Sequence, residues 1–138
     1  MEAPKPIARP PREVGALVLE AGAYTDIVSM GAPYEAGEGQ EVEVSVTVRN
    51  LASFPIYISV SGKFNGSIYF LYPEYMNVAA GGTYTFKGSF TMPNKDVRVY
   101  AWSWYWTGED WYQDDEQHVD IELAVPSFSH LSASYRRD

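Results

Sequence analysis

The sequence predicts an all-β fold, an antiparallel two-sheet sandwich, and three observations carry that prediction. Val42, Val44, Val46 and Val48 alternate strictly with Glu41, Glu43, Ser45, Thr47 and Arg49, the period-2 signature of a strand with one buried face. Asn65-Gly66 separates two strand-like runs, and both residue types accept the positive φ that a two-residue type I′ hairpin turn requires. The remaining apolar runs are short, end at Gly, Pro, Asn or Asp, and show no helical period.

Residues 1–13 place Pro4, Pro6, Pro10 and Pro11 among Lys5, Arg9 and Arg12. Proline fixes φ and lacks an N–H, so this segment reads as an extended arm lying across a surface, and the surface expected is that of a neighbouring subunit. Residues 14–20 are a short apolar run, an edge strand or part of the arm, so that 1–24 form the arm and a short strand. Residues 25–30 read as a strand closed by Gly31-Ala32-Pro33, and 35–39 as a turn-rich loop.

The valine-rich strand at 41–49 follows, then 55–64, with Ile56, Ile58 and Val60 on one parity and Tyr57, Ser59 and Ser61 on the other. The hairpin returns through 67–72; Asn65-Gly66-Ser67 is also a glycosylation sequon, but a turn is the reading preferred here. Gly81-Gly82 turns the chain into 83–91, where Tyr84, Phe86 and Phe90 oppose Thr83, Thr85, Lys87 and Ser89. Residues 96–106 make the next strand, 108–116 an acidic aromatic loop, and Val119, Ile121 and Leu123 alternate with His118, Asp120 and Glu122 in the last strand. About seven short strands between residues 25 and 125, with 126–138 as a tail, predict an immunoglobulin-like sandwich; a small barrel or jelly roll is the alternative.

The chain has 138 residues, enough for one hydrophobic core, with 46% apolar residues and four Trp, eleven Tyr and six Phe, a proportion that suggests a binding surface. Its formal charge of -8 disfavours nucleic acid as a direct partner. The charge is segregated: residues 1–13 and 126–138 each carry +1, which leaves -10 on residues 14–125. Basic ends on an acidic body favour docking of an arm onto a neighbour. There is no cysteine, hence no disulfide and no thiolate chemistry. No apolar run approaches the roughly 18 residues of a membrane span, and the start of the chain lacks the apolar stretch of a signal peptide.

Three stretches carry a resemblance. Residues 39–50, GQEVEVSVTVRN, resemble the second strand of cell-adhesion-related immunoglobulin-like domains of bacterial and archaeal surface proteins, a strand that commonly ends at Asn. Residues 80–86, AGGTYTF, resemble the turn into their fifth strand, and 90–97, FTMPNKDV, the crossing into the sixth. Similar modules decorate phage capsids and tails. The resemblance spans about residues 25–125 and implies a sandwich used for interaction or adhesion.

Strand parity sorts the faces under that connectivity. On the strand at 96–106, Val97, Val99, Ala101 and Ser103 face the core, and Arg98, Tyr100, Trp102, Trp104 and Trp106 face outward beside Tyr57. An outward aromatic row marks an interaction site, so the expected interface comprises Tyr57, Tyr100, Trp102, Trp104, Trp106 and Trp111 with Pro4, Pro6, Pro10 and Pro11 of the arm. Two other arrangements compete: a parity reversal that sends the Trp side chains into the core, and coverage of the row by the molecule's own arm. The opposite sheet shows Glu41, Glu43, Ser45, Thr47, Arg49, Thr83, Thr85, Lys87 and Ser89 to solvent.

Asp110, Asp114, Asp115, Glu116 and Asp120 offer hard oxygen ligands of the kind Ca²⁺ takes, but without an EF-hand spacing they read as a solvated acidic loop. His118 and His130 are the only imidazoles, and no nucleophile-elbow, His-Glu-x-x-His or phosphate-loop string occurs. The expectation is a non-enzyme with no metal and no cofactor. Its partners are expected to be proteins, namely capsid, tail or identical subunits, placing it in a virion. The alternative is a carbohydrate-binding or adhesion module at a cell surface.

Overall fold

The computed structural model describes residues 2–11 and 23–125, so the apolar run at 14–20, His130 and the tail at 126–138 lie outside the described residues. Ten strands form an immunoglobulin-like sandwich of two sheets: β1 (Thr25–Gly31), β2 (Glu35–Gly37), β3 (Glu41–Asn50), β4 (Ile56–Phe64), β5 (Ser67–Tyr69), β6 (Leu71–Tyr72), β7 (Met76–Val78), β8 (Thr83–Thr91), β9 (Val97–Trp106) and β10 (Trp111–Ala124). The four-stranded sheet runs β1-β3-β8-β6 and the six-stranded sheet β2-β10-β9-β4-β5, with β7 also on β4.

The valine strand behaves as its alternation requires. Val42, Val44, Val46 and Val48 are buried, and they meet Ile56, Ile58, Val60, Val97, Val99 and Ile121 of the opposite sheet in one core. The Asn65-Gly66 turn has φ of 48° and 87°, the positive pair a type I′ hairpin needs, and joins Phe64 to Ser67. At the end of β3, Asn50 is fully buried. Its Nδ2 donates to the carbonyls of Phe54 (2.9 Å) and Val78 (3.0 Å), and its Oδ1 accepts from the Ala52 N–H (2.8 Å). An Asn at this position therefore ties the Phe54 and Val78 carbonyls and the Ala52 amide together where β3 ends.

Four expectations need correction. The count is ten strands, not about seven, because short strands at 35–37, 67–69, 71–72 and 76–78 pair within the sheets. Residues 35–37, expected as loop, add in parallel to the end of β10. The run 67–72 is not one strand: β5 pairs with β4, whereas β6 pairs with β8 of the other sheet, so the chain changes sheets at Phe70. A Cβ at Gly88 would fall on the Phe70 carbonyl, so this crossing requires glycine there. Finally, 108–116 is not a loop. β10 begins at Trp111, and its hairpin with β9 closes in the short turn 107–110.

Candidate functional site: the aromatic outer face

Residues opposite each other in an antiparallel ladder point to the same side. β9 pairs Trp106 with Trp111, Trp104 with Gln113, Trp102 with Glu116 and Tyr100 with His118 on β10, and Trp104 with Ser59 and Trp102 with Ser61 on β4. All these side chains lie on the outer face of the six-stranded sheet, while Val97, Val99, Ala101 and Tyr105 of β9 lie in the inter-sheet core. All four Trp residues of the chain thus gather on one outer face, in a cluster distinct from the core, with Tyr57, Tyr75 and Tyr100 packed on it.

These rings are not solvent-exposed. Trp102, Trp104, Trp106 and Trp111 retain 1%, 6%, 6% and 4% of their accessible surface. The expectation of an open row in the single subunit is corrected by the arm, which lies on the face of its own chain. Ala3 packs against the Trp cluster. The Trp111 indole Nε1–H donates to the Ala8 carbonyl at 2.6 Å. The Arg9 guanidinium sits 5.1 Å from the centre of the Trp106 ring, a cation–π contact, and donates to the Glu109 carbonyl at 2.9 Å. Lys5 Nζ is 2.8 Å from the Asp110 carboxylate. Pro10 is buried, Pro4 and Pro6 are half-buried, and Pro11 faces solvent.

The tip that receives the arm is internally braced. Thr107 Oγ1 accepts from the Asp110 amide (3.1 Å), the Thr107 amide donates to the Asp110 carbonyl (3.0 Å), and Gly108 takes φ of 100°. The Asp110 carboxylate also accepts from the Trp111 amide at 2.8 Å. The neighbouring Lys5 ammonium, with that amide, holds the Asp110 carboxyl below the ordinary carboxylate range. Elsewhere on the face, Trp102 Nε1–H donates to Glu116 Oε1 and Trp104 Nε1–H to Ser61 Oγ, each at 2.8 Å. Trp106 Nε1 is buried and has no hydrogen-bond partner among the described residues.

The acidic residues do other work than a solvated loop. β10 carries a bulge in which Asp114 and Asp115 together oppose Ser103. Asp114 Oδ2 accepts from the backbone N–H of Tyr24 (2.8 Å) and Thr25 (2.7 Å) and from Thr25 Oγ1 (2.8 Å), and Asp115 Oδ2 accepts from the Ile27 N–H (2.8 Å). Carboxylates stand in for a ladder partner on the free edge of β1 and fasten one sheet to the other. Asp120 pairs with Arg98 at 2.8 Å, and that guanidinium holds the Asp120 carboxyl below its ordinary value. Among the described residues no cluster of His, Cys, Asp or Glu is arranged to hold a metal ion, and no helix is long and apolar enough to cross a membrane. Sequence reasoning missed this fastening because a one-residue bulge is invisible to alternation.

No family model matches the sequence, and no curated protein does. Solved structures do share the fold. The CARDB domain of the PF1109 protein of Pyrococcus furiosus, solved in complex with di-metal ions, is similar with a TM-score of 0.58 at 14% identity, covering 78% of this chain and 96% of that one. The C-terminal domain of wzt is similar with a TM-score of 0.55 at 13% identity, over 77% of each chain. Part of the alkylpurine DNA glycosylase AlkC of Pseudomonas fluorescens, solved on DNA with an abasic-site analogue, gives 0.53 at 14% identity over 74% of this chain and 31% of that one. At these identities the likeness shows a shared immunoglobulin-like sandwich, and it extends to the fold alone.

Proposed function

We propose that the chain is a non-enzymatic interaction module of the adhesion kind, and that the aromatic outer face is its binding surface. Its ligand is a basic, proline-containing segment. One observation carries this: the face holds such a segment in the structure, with an indole N–H on the Ala8 carbonyl, a Trp ring under Arg9 and a carboxylate on Lys5. Proline-rich peptides are recognised by aromatic-lined grooves in this manner, because the segment is already extended and loses little entropy on docking. The proposal is tested with a chain lacking residues 2–11, which contribute nothing to the inter-sheet core, titrated with a synthetic peptide of residues 2–11. Saturable binding with a blue shift of Trp emission is expected, and a peptide with Lys5→Glu and Arg9→Glu should bind at least tenfold more weakly. Equal binding of both peptides would remove the reading.

A second reading, carbohydrate binding, has its own observation. Phe70 and Tyr72 are 68% and 62% exposed beside a cavity of about 670 Å³, which Glu41, Glu43, Lys87 and Ser89 also line. Exposed rings flanked by carboxylates and an ammonium suit the apolar faces and hydroxyls of a sugar. Tyr72→Ala abolishing retention on a polysaccharide matrix would support it. Both readings suit an extracellular surface better than a virion, for which the structural neighbours offer no support.

A further inference from the structure

We infer that the arm is exchangeable: residues 2–11 of one copy seat on the aromatic face of a second copy, so that the partner copy completes the face. This rests on the reading of that face as a receptor for a basic proline-containing segment, and it names the source of the segment.

The division of contacts permits exchange. The arm's described contacts run to the outer face and to the 107–110 turn, and residues 4–8 share the lining of a cavity of about 300 Å³ with Ser59–Ser61 and Ile68–Leu71. None of its residues belongs to the inter-sheet core. Release of the arm therefore exposes a binding surface without dismantling the sandwich. The same contacts form whether the arm comes from the same chain or another, so the choice is set by effective concentration and by reach. Eleven residues, 12–22, separate Pro11 from Ala23. Such a length spans at most about 40 Å when fully extended. A domain of this size is roughly 35 Å across, so a neighbour in contact is within range.

Charge sets the direction of the contact. Residues 14–125 carry -10, so two bodies repel, while the arm brings Lys5 and Arg9 to Asp110 and to the Glu109 carbonyl. Association of copies is thereby directed through arm and face rather than face against face. Reciprocal exchange closes a dimer, and one-way exchange extends a chain.

The test uses two copies, each unable to close on itself. The acceptor lacks residues 2–11. The donor is the full chain with Trp111→Ala and Asp110→Lys, which removes the indole donor to Ala8 and reverses the charge facing Lys5. Circular dichroism checks that both fold, and a donor with Asp110→Lys alone is the fallback. Sedimentation velocity should show each variant as a monomer and the equimolar mixture as a 1:1 complex, whose acceptor Trp emission shifts to the blue. High salt should weaken it. If the mixture stays monomeric at concentrations where the free peptide of residues 2–11 saturates the acceptor, exchange is overturned and the receptor reading stands. If the peptide does not bind either, the receptor reading fails with it.

Discussion

The space between the sheets and the outer face of the six-stranded sheet are both buried, but by different means. Between the sheets the side chains are mostly Val, Ile and Phe, delivered by strand alternation from β3, β4, β8, β9 and β10. On the outer face they are Trp and Tyr, and three of the four indole N–H groups are bonded, to Glu116, Ser61 and Ala8. The first layer closes because the fold closes. The second closes because a segment some hundred positions away in sequence lies down on it. A layer that depends on a detachable cover can serve as a binding site, whereas a layer that is the fold cannot. The following expectations would break that contrast or sharpen it.

The largest effect belongs to the inter-sheet layer. Val46 is fully buried at the centre of β3. Val46→Asp places an unpaired carboxylate there and should abolish folding, read as loss of the cooperative urea transition. A normal transition would show that the layer between the sheets is not what holds the molecule together.

The next effect tests the junction between the two sheets. Asp114→Ala strips one acceptor from the Tyr24 N–H, the Thr25 N–H and the Thr25 hydroxyl at once. Partly buried donors left unpaired cost about 1–3 kcal/mol each where water cannot reach them, so a loss of about 3 kcal/mol is expected from the urea midpoint. Asp114→Asn should recover part of that loss, since an amide oxygen can still accept. No change in either variant would return these carboxylates to the role of a solvated loop.

Removal of residues 2–11 should cost less, about 1–2 kcal/mol, because among the described residues the arm contributes one exposed ion pair, two hydrogen bonds to the hairpin, the buried Pro10 and the half-buried Pro4 and Pro6. Its signature is spectral. Trp emission should move to the red and become quenchable by acrylamide while the far-ultraviolet spectrum persists. If the truncated chain loses its β-sheet signal as readily as the Val46→Asp variant, the outer layer is part of the fold and the contrast fails.

How much of this was legible in the sequence follows from the same contrast. Alternation at Val42–Val48 and the Asn65-Gly66 turn are local signals, and both layers' membership on β9 could be sorted by parity, with Val97 and Val99 inward and Trp102 and Trp104 outward. What covers the outward row could not be sorted that way. Ile7, 91% exposed, and Pro10, buried, lie three residues apart in a segment with no ladder and no period. The bulge at Asp114 and Asp115 was hidden for a related reason: one inserted residue changes the face of every residue after it, and only the partner strand shows where it occurs. β2 and β7 were missed because three residues are too few to show a period.

The smallest expected effect concerns pH and returns to the arm. Asp110 lies below its ordinary pKa because of Lys5 and the Trp111 amide. A group whose carboxyl is depressed on folding stabilises the docked arm fully above its unfolded pKa, and that contribution disappears as pH falls through the lower, folded value. The arm should therefore loosen only in acid, below the usual carboxylate range, and neutral pH should leave it seated. The pair is exposed, so the loosening is slight. It should be read as a red shift of Trp emission, because Trp111 and Trp106 sit beneath the segment that Lys5 holds. The shift should be flattened in Asp110→Asn, whose side chain no longer titrates, and preserved in Asp120→Asn. Asp120 is depressed in the same direction, but by Arg98, its side-chain partner on β9. An acid red shift that survives Asp110→Asn unchanged would mean that the arm is held by the rings alone. The charged residues of the arm would then contribute to approach rather than to the seated state.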